Sequence, residues 1–115
     1  MVLADTSVWV HHFRHGSDRL GVLLDAGSVA IHPFVLGELA CGTLARRSET
    51  LSSLRALPHV DVADDDEVMR LLESSRLWGR GLGWIDVHLL AAAKLGGAVL
   101  WTLDTALARA AAASA

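Results

Sequence analysis

The stretch that most constrains this chain is Gly83-Trp84-Ile85-Asp86-Val87-His88-Leu89-Leu90-Ala91-Ala92-Ala93, followed by Ala98-Val99-Leu100-Trp101-Thr102-Leu103-Asp104. It predicts a helix apolar on nearly every side, a turn at Gly96-Gly97 and then a buried strand. Two carboxylates interrupt the apolar run. Asp86 shares a helical row with Leu89, Leu90 and Ala93, so it is expected to point toward the interior. Asp104 sits where the strand 98–103 runs out. A carboxylate aimed at a core costs free energy unless it meets a cation or hydrogen-bond donors, and Lys and Arg are scarce nearby.

The rest of the chain alternates short apolar runs with helical periods. Val2-Leu3-Ala4 predicts a buried parallel strand ending at Asp5. Thr6 or Ser7 can cap a helix reaching about Arg14, and Gly16-Ser17-Asp18 breaks it and starts another with Leu20, Leu23 and Leu24 inward. Val29-Ala30-Ile31 is a second strand, and Pro33 opens a helix to about Leu44. On that helix Glu38 lies three or four residues from Phe34, Val35, Cys41 and Gly42, which puts a second acid on an inward row. Arg46-Arg47-Ser48 is a polar break, Leu51 and Leu54 mark a short helix before Pro58, and 59–63 reads as a weaker strand. Asp64-Asp65-Asp66-Glu67 starts a helix with Val68, Leu71, Leu72, Ser75 and Trp78 on its buried stripe, and Asp66 stands four residues before Arg70. Gly79-Arg80-Gly81-Leu82-Gly83 is a hinge, and Thr105–Ala112 is helical. This alternation predicts one α/β domain over residues 1–115, a central parallel sheet of about four strands flanked by helices.

The totals narrow the function. A net charge of −3 excludes a general nucleic-acid coat protein but not an enzyme with a small basic rim, and nine of the ten basic residues are arginine. One cysteine, Cys41, makes no internal disulfide and is expected to serve packing. The start of the chain has no basic-then-apolar leader, and Asp86, His88 and Lys94 break the longest apolar run, so a soluble cytoplasmic protein without a membrane span is expected.

Asp5 and Asp104 each follow an apolar strand and precede a helix. Each suits a helix N-cap. Both also fall at the carboxyl edge of a parallel sheet, where ligands bind. With Glu38 and Asp86 they would form a pocket of like charge, which a divalent cation resolves. Hard oxygen donors suit Mg²⁺ or Mn²⁺, ions that lower the pKa of coordinated water and neutralise charge on a phosphodiester.

Asp5-Thr6-Ser7-Val8-Trp9-Val10, Glu38, Gly83-Trp84-Ile85-Asp86 and Leu100-Trp101-Thr102-Leu103-Asp104, in that order, resemble the four acidic motifs of PIN domains, most closely those of the VapC toxins of VapBC toxin–antitoxin pairs. The resemblance implies a PIN-like fold and an endoribonuclease that hydrolyses RNA with Mg²⁺, or Mn²⁺, held by Asp5, Glu38, Asp86 and Asp104. It makes Ser7 and Thr102 auxiliary hydroxyls and implies a VapB-like antitoxin partner. The family usually adds a final strand after the position of Asp104, and this sequence shows none.

Arg14, Arg46, Arg47 and Arg80 are the candidate phosphate contacts. The apolar excess around Trp9, Phe13 and residues 17–27 is expected to serve a homodimer or an antitoxin segment. Two rival readings stand beside the nuclease. A Mg²⁺-dependent phosphotransfer or phosphatase protein would need a lysine near the acids, and Lys94, the only one, falls two turns beyond Asp86. A catalytically inert PIN-like binding module would keep the fold alone. His11 and His15 read as exposed or partner-facing, His88 as non-catalytic, and the glycines at 79, 81 and 83 lack the lysine of a phosphate loop.

Overall fold

The computed structural model describes residues 1–114. In chain order the elements are β1 (Val2–Ala4), α1 (Thr6–His15), α2 (Asp18–Asp25), β2 (Val29–Ala30), α3 (Pro33–Cys41), α4 (Arg47–Arg55), α5 (Asp65–Ser74), α6 (Trp84–Gly96), β3 (Val99–Trp101) and α7 (Thr105–Ala113). The sheet is parallel in the order β2-β1-β3. Val2 and Leu3 stand opposite Val29 and Ala30, and Val2, Leu3 and Ala4 stand opposite Val99, Leu100 and Trp101. The unbroken apolar run of β1 fits its central place, covered on both faces. The chain steps to β2 on one side of β1 and later to β3 on the other. Strand order therefore reverses between β1 and β3, the position at which a parallel sheet opens a ligand crevice beyond its strand ends. Asp5 directly follows β1, and Thr102 to Asp104 directly follow β3.

The sequence predicts about four strands, and the structure forms three. Residues 59–63 contribute only one parallel bridge, Ile31 to His59, flanked by Ile31 N–H to Pro58 O at 2.8 Å and Val60 N–H to Ile31 O at 3.1 Å. His59, Asp61 and Val62 are exposed, so no continuous buried face holds the ladder further.

The interior is two apolar clusters with α6 between them. Leu89 and Ala93 face the cluster built on Leu3, Val8, Trp9, Leu20 and Ile31, while Val87, Leu90 and Ala91 face Val68, Leu71, Leu77 and Ala110. Every residue from Val87 to Ala93 is buried, His88 included, as a helix apolar on nearly every side requires. A fully buried leucine of this kind contributes about 1.5–3 kcal/mol. The inward stripe of α5 ends earlier than its period predicts. Arg76 adopts a left-handed conformation (φ 51°), which breaks the helical register: Leu77 turns inside and Trp78 is left 57% exposed. Among the described residues, no helix is long and apolar enough to cross a membrane.

Candidate functional site

Asp5 is the hub of a hydrogen-bond network at the strand-order reversal. It is the N-cap of α1, its Oδ1 accepting from Val8 N–H at 3.3 Å, and it is only 6% exposed. Ser7 donates to the same oxygen and Thr102 to Oδ2, both at 2.5 Å. The backbone fixes the direction of these hydroxyl bonds. Ser7 Oγ accepts from Leu103 N–H and Thr102 Oγ1 from Asp104 N–H, each at 3.0 Å, which leaves both hydroxyl protons for Asp5. Three of the roughly four lone-pair positions of the carboxylate are thus filled from within the chain. This network joins residues 95 and 97 positions apart and ties the ends of β1 and β3 together.

The other acids hang on this hub in different ways. Asp104 is the N-cap of α7, with Oδ1 accepting from Leu107 N–H at 3.0 Å, and its own amide binds Thr102. Both strand-end acids are therefore caps as well as crevice residues. Glu38 is exposed, correcting the inward placement expected from its helical row. Its Oε1 accepts from Thr6 Oγ1 at 2.8 Å, so α3 presents it to the start of α1 rather than to the core. Thr6, expected only as a helix cap, is the residue sequence reasoning missed; its place between Asp5 and Ser7 was the available signal. Asp86 is half-buried and turns back on its own helix start, Oδ2 accepting from Gly83 N–H at 2.9 Å, instead of entering the apolar interior. It makes no hydrogen bond to the other three acids. The loop before it nevertheless reaches α7: a Cβ placed on Gly81 would lie 3.8 Å from the Ala106 Cβ, two residues beyond Asp104.

Glu38, Asp86 and Asp104 each keep one carboxylate oxygen free of hydrogen bonds among the described residues. Neither the Arg46–Glu49 ion pair nor the approach of His88 Nε2 to Asp65 Oδ1 at 3.3 Å involves any of the four acids. Four oxygen-donor side chains without a cationic partner fit a hard divalent cation. In the structure as it stands, no three His, Cys, Asp or Glu side chains among the described residues are gathered closely enough to hold one.

The candidate phosphate contacts divide. Arg47 donates to Ala40 O at 2.6 Å and Gly42 O at 3.2 Å, closing the end of α3 at Cys41 instead of Leu44. Arg46 pairs with Glu49 at 2.6 Å. Arg14 and Arg80 are exposed and make neither kind of bond among the described residues. Cys41 is exposed, contrary to the packing role expected of it. His11 and His15 stand exposed on α1, ring centroids 5.1 Å apart, as expected of a surface pair.

A line of aromatic rings links α3 to α6 beside the acids. His32, Phe34, His88 and Trp84 stack edge to face with centroids 4.9, 4.9 and 4.7 Å apart. His32 is the N-cap of α3, Nδ1 accepting from Phe34 N–H at 3.0 Å, and its Nε2 is buried without a partner. Burial, reinforced by the neighbouring His88, lowers the pKa of His32 from its usual 6.5 to about 4.

A PIN-domain family model matches residues 2–113. The protein named Ribonuclease VapC32 from Mycobacterium tuberculosis, in strains CDC 1551 / Oshkosh and ATCC 25618 / H37Rv, is 46% identical over 108 residues, which cover 93% of this chain and 87% of the relative. With both matches spanning nearly its whole length, the chain belongs to the PIN-domain family and, within it, to the VapC ribonucleases.

Proposed function

We propose that this chain is a metal-dependent endoribonuclease, the toxin of a type II toxin–antitoxin pair, acting in the cytoplasm on RNA phosphodiester bonds. The observation that carries the reading is the Asp5 network, which holds a buried carboxylate at the strand-order reversal and links it through Thr102 to Asp104, while Glu38 bonds Thr6, the next residue in the chain after Asp5. Asp5, Glu38, Asp86 and Asp104 are the residues that would hold Mg²⁺, with Mn²⁺ as a substitute. Such an ion, when bound, supplies charge neutralisation at the scissile phosphate and lowers the pKa of the attacking water. The protein residues fix the geometry: Ser7 and Thr102 lock the plane of Asp5, and Thr6 and the Gly83 amide aim Glu38 and Asp86. Arg14 and Arg80 are left for RNA phosphates.

A VapB-like antitoxin and a second copy of the chain are the proposed protein partners. An apolar recess between α1, α2 and α4, lined by Trp9, Phe13, Leu24, Leu54 and Leu57, supports docking of an apolar helix face. Purified protein should cut RNA at few positions with Mg²⁺ or Mn²⁺ and not in EDTA, and Asp86→Ala should cut none. Cleavage that survives Asp86→Ala would remove the assignment. Expressed from its native operon, the chain should co-purify with a small DNA-binding protein and scatter light as a dimer; isolation alone and monomeric would remove those partners.

A further inference from the structure

Two of the four tryptophans are buried or half-buried, and two are not: Trp78 is 57% and Trp84 44% exposed. Both exposed indoles flank the loop 79–83 that leads into α6. Arg80, which lies between them in sequence, is exposed on the same loop. Gly79 and Gly81 take left-handed conformations (φ 71° and 80°), which give the loop a defined path that an L-residue would adopt only with strain. That path runs to Asp86 at its end and passes the start of α7 at its middle. Gly83 N–H binds Asp86, and Gly81 packs toward Ala106 in the first turn after Asp104. Trp84 is not a loose surface ring, because buried His88 meets it edge to face at 4.7 Å.

Two exposed aromatic side chains and an exposed cation on one loop suit a nucleobase on a ring and a phosphate on the guanidinium. Of the residues between the two indoles, only half-buried Leu82 is a large aliphatic, so the loop offers little of the aliphatic surface a helix-binding groove needs. The acidic crevice beside it repels a polyanion, and a neighbouring stacking surface offsets that repulsion without adding charge. Stacking requires unpaired bases, because a base inside a duplex has its faces covered.

We propose that Trp78 and Trp84, with Arg80 between them, form a platform that captures single-stranded RNA and delivers it to the acids. This rests on the ribonuclease reading for its substrate class. It makes the two indoles positioning residues and predicts a preference for unpaired over double-helical RNA.

The test is intrinsic tryptophan fluorescence of the full chain with Mg²⁺, titrated with a single-stranded oligoribonucleotide of about ten nucleotides and, separately, with its perfect duplex. The single strand should quench the exposed indoles and the duplex should not. Trp78→Leu and Trp84→Leu should each weaken single-strand affinity about tenfold, and Trp→Phe at either position should restore it to within about threefold. On any RNA the protein cleaves, the same variants should raise KM by a similar factor and leave kcat within about twofold. Melting curves identify a Trp84 variant that is merely unfolded, and Trp78, which makes no aromatic contact among the described residues, provides the independent position. Absence of quenching, equal quenching by the duplex, or unchanged affinity in both Leu variants would overturn the platform. So would variants that lose a protein partner while binding the oligonucleotide as before. Cleavage that ignores both tryptophans would defeat the platform and leave the nuclease standing. Single-strand binding that depends on them, with no RNA cut, would defeat the nuclease and leave the platform.

Discussion

Asp5→Asn should fold with nearly wild-type stability and lose RNA cleavage by about a hundredfold or more, the scale set by removing one member of a preorganised constellation. The two halves of this expectation have separate causes. Asparagine is as good an N-cap as aspartate, so the bond from Val8 N–H to position 5 survives. The amide can still accept from Ser7, and Thr102 Oγ1 can turn its lone pair toward the new N–H. What disappears is the negative charge at the only buried acid of the four. Asp5→Ala is the harsher change. It strands two hydroxyl protons and costs about 1–2 kcal/mol for the lost cap alone, so a loss of activity there would mix folding with chemistry. Thermal unfolding paired with single-turnover cleavage of the Asn variant separates them. A well-folded Asp5→Asn protein that cleaves within a few-fold of wild type would show that this carboxylate is only a helix cap.

Acidification should destabilise the fold by about 3 kcal/mol between pH 6.5 and pH 4 through His32 alone. The native pKa of about 4 lies below the usual 6.5, because the ring is buried and His88 stands near it. Above pH 6.5 neither the folded nor the unfolded chain holds the extra proton, and this stabilisation is fully present. As pH falls below 6.5 the unfolded chain takes up a proton that the folded chain refuses. Stability then declines by about 1.4 kcal/mol per unit until the folded ring also titrates near pH 4. Urea unfolding at pH 7.5, 6 and 5 measures the slope, and His32→Asn isolates it. Asparagine retains capping ability for Phe34 N–H but has no proton to gain in this range. The variant should be less stable at neutral pH, because it leaves a cavity, yet its stability should fall less steeply on acidification. Parallel pH profiles for the two proteins would mean that His32 is not the group responsible.

The fold was readable from the sequence where chemistry is local. The apolar run 2–4 has little choice but to be a covered strand, and Asp5 ends it. The run 99–101 forms β3 as expected but not its expected burial: it is an edge strand, with Val99 64% exposed and Leu100 and Trp101 half-buried. The stretch from Val87 to Ala93, apolar but for His88, demanded burial. What the sequence concealed depended on tertiary direction. The row through Glu38 correctly found apolar neighbours, but a helical row does not say which neighbour lies inward; the Thr6 hydroxyl, 32 residues away, turns that face toward the crevice. Asp86 shares its row with buried leucines and still avoids them, because as the third residue of α6 it can reach back to the Gly83 amide. Arg47 looked like a free surface charge, yet its length lets it close the carbonyl end of the preceding helix. The weak strand at 59–63 failed for lack of a second buried face, and Trp78 left its predicted stripe because one left-handed residue, Arg76, ended the period.

The central claim is that four acids, Asp5 and Asp104 bridged by Thr102, Glu38 bonded to Thr6 and Asp86 at the start of α6, act as a single cation site. A thermal melt of the wild-type chain and of Asp86→Asn, each with and without Mn²⁺, addresses it most directly. Mn²⁺ at a hundredfold above its dissociation constant adds about 2.7 kcal/mol to the native state, a rise of several degrees for a chain of this size. Asp86→Asn should abolish most of that rise. Its metal-free melting point should equal or exceed that of the wild type, because one like charge has left the crevice. An Mn²⁺ shift of equal size in both proteins would place the ion elsewhere and contradict the account.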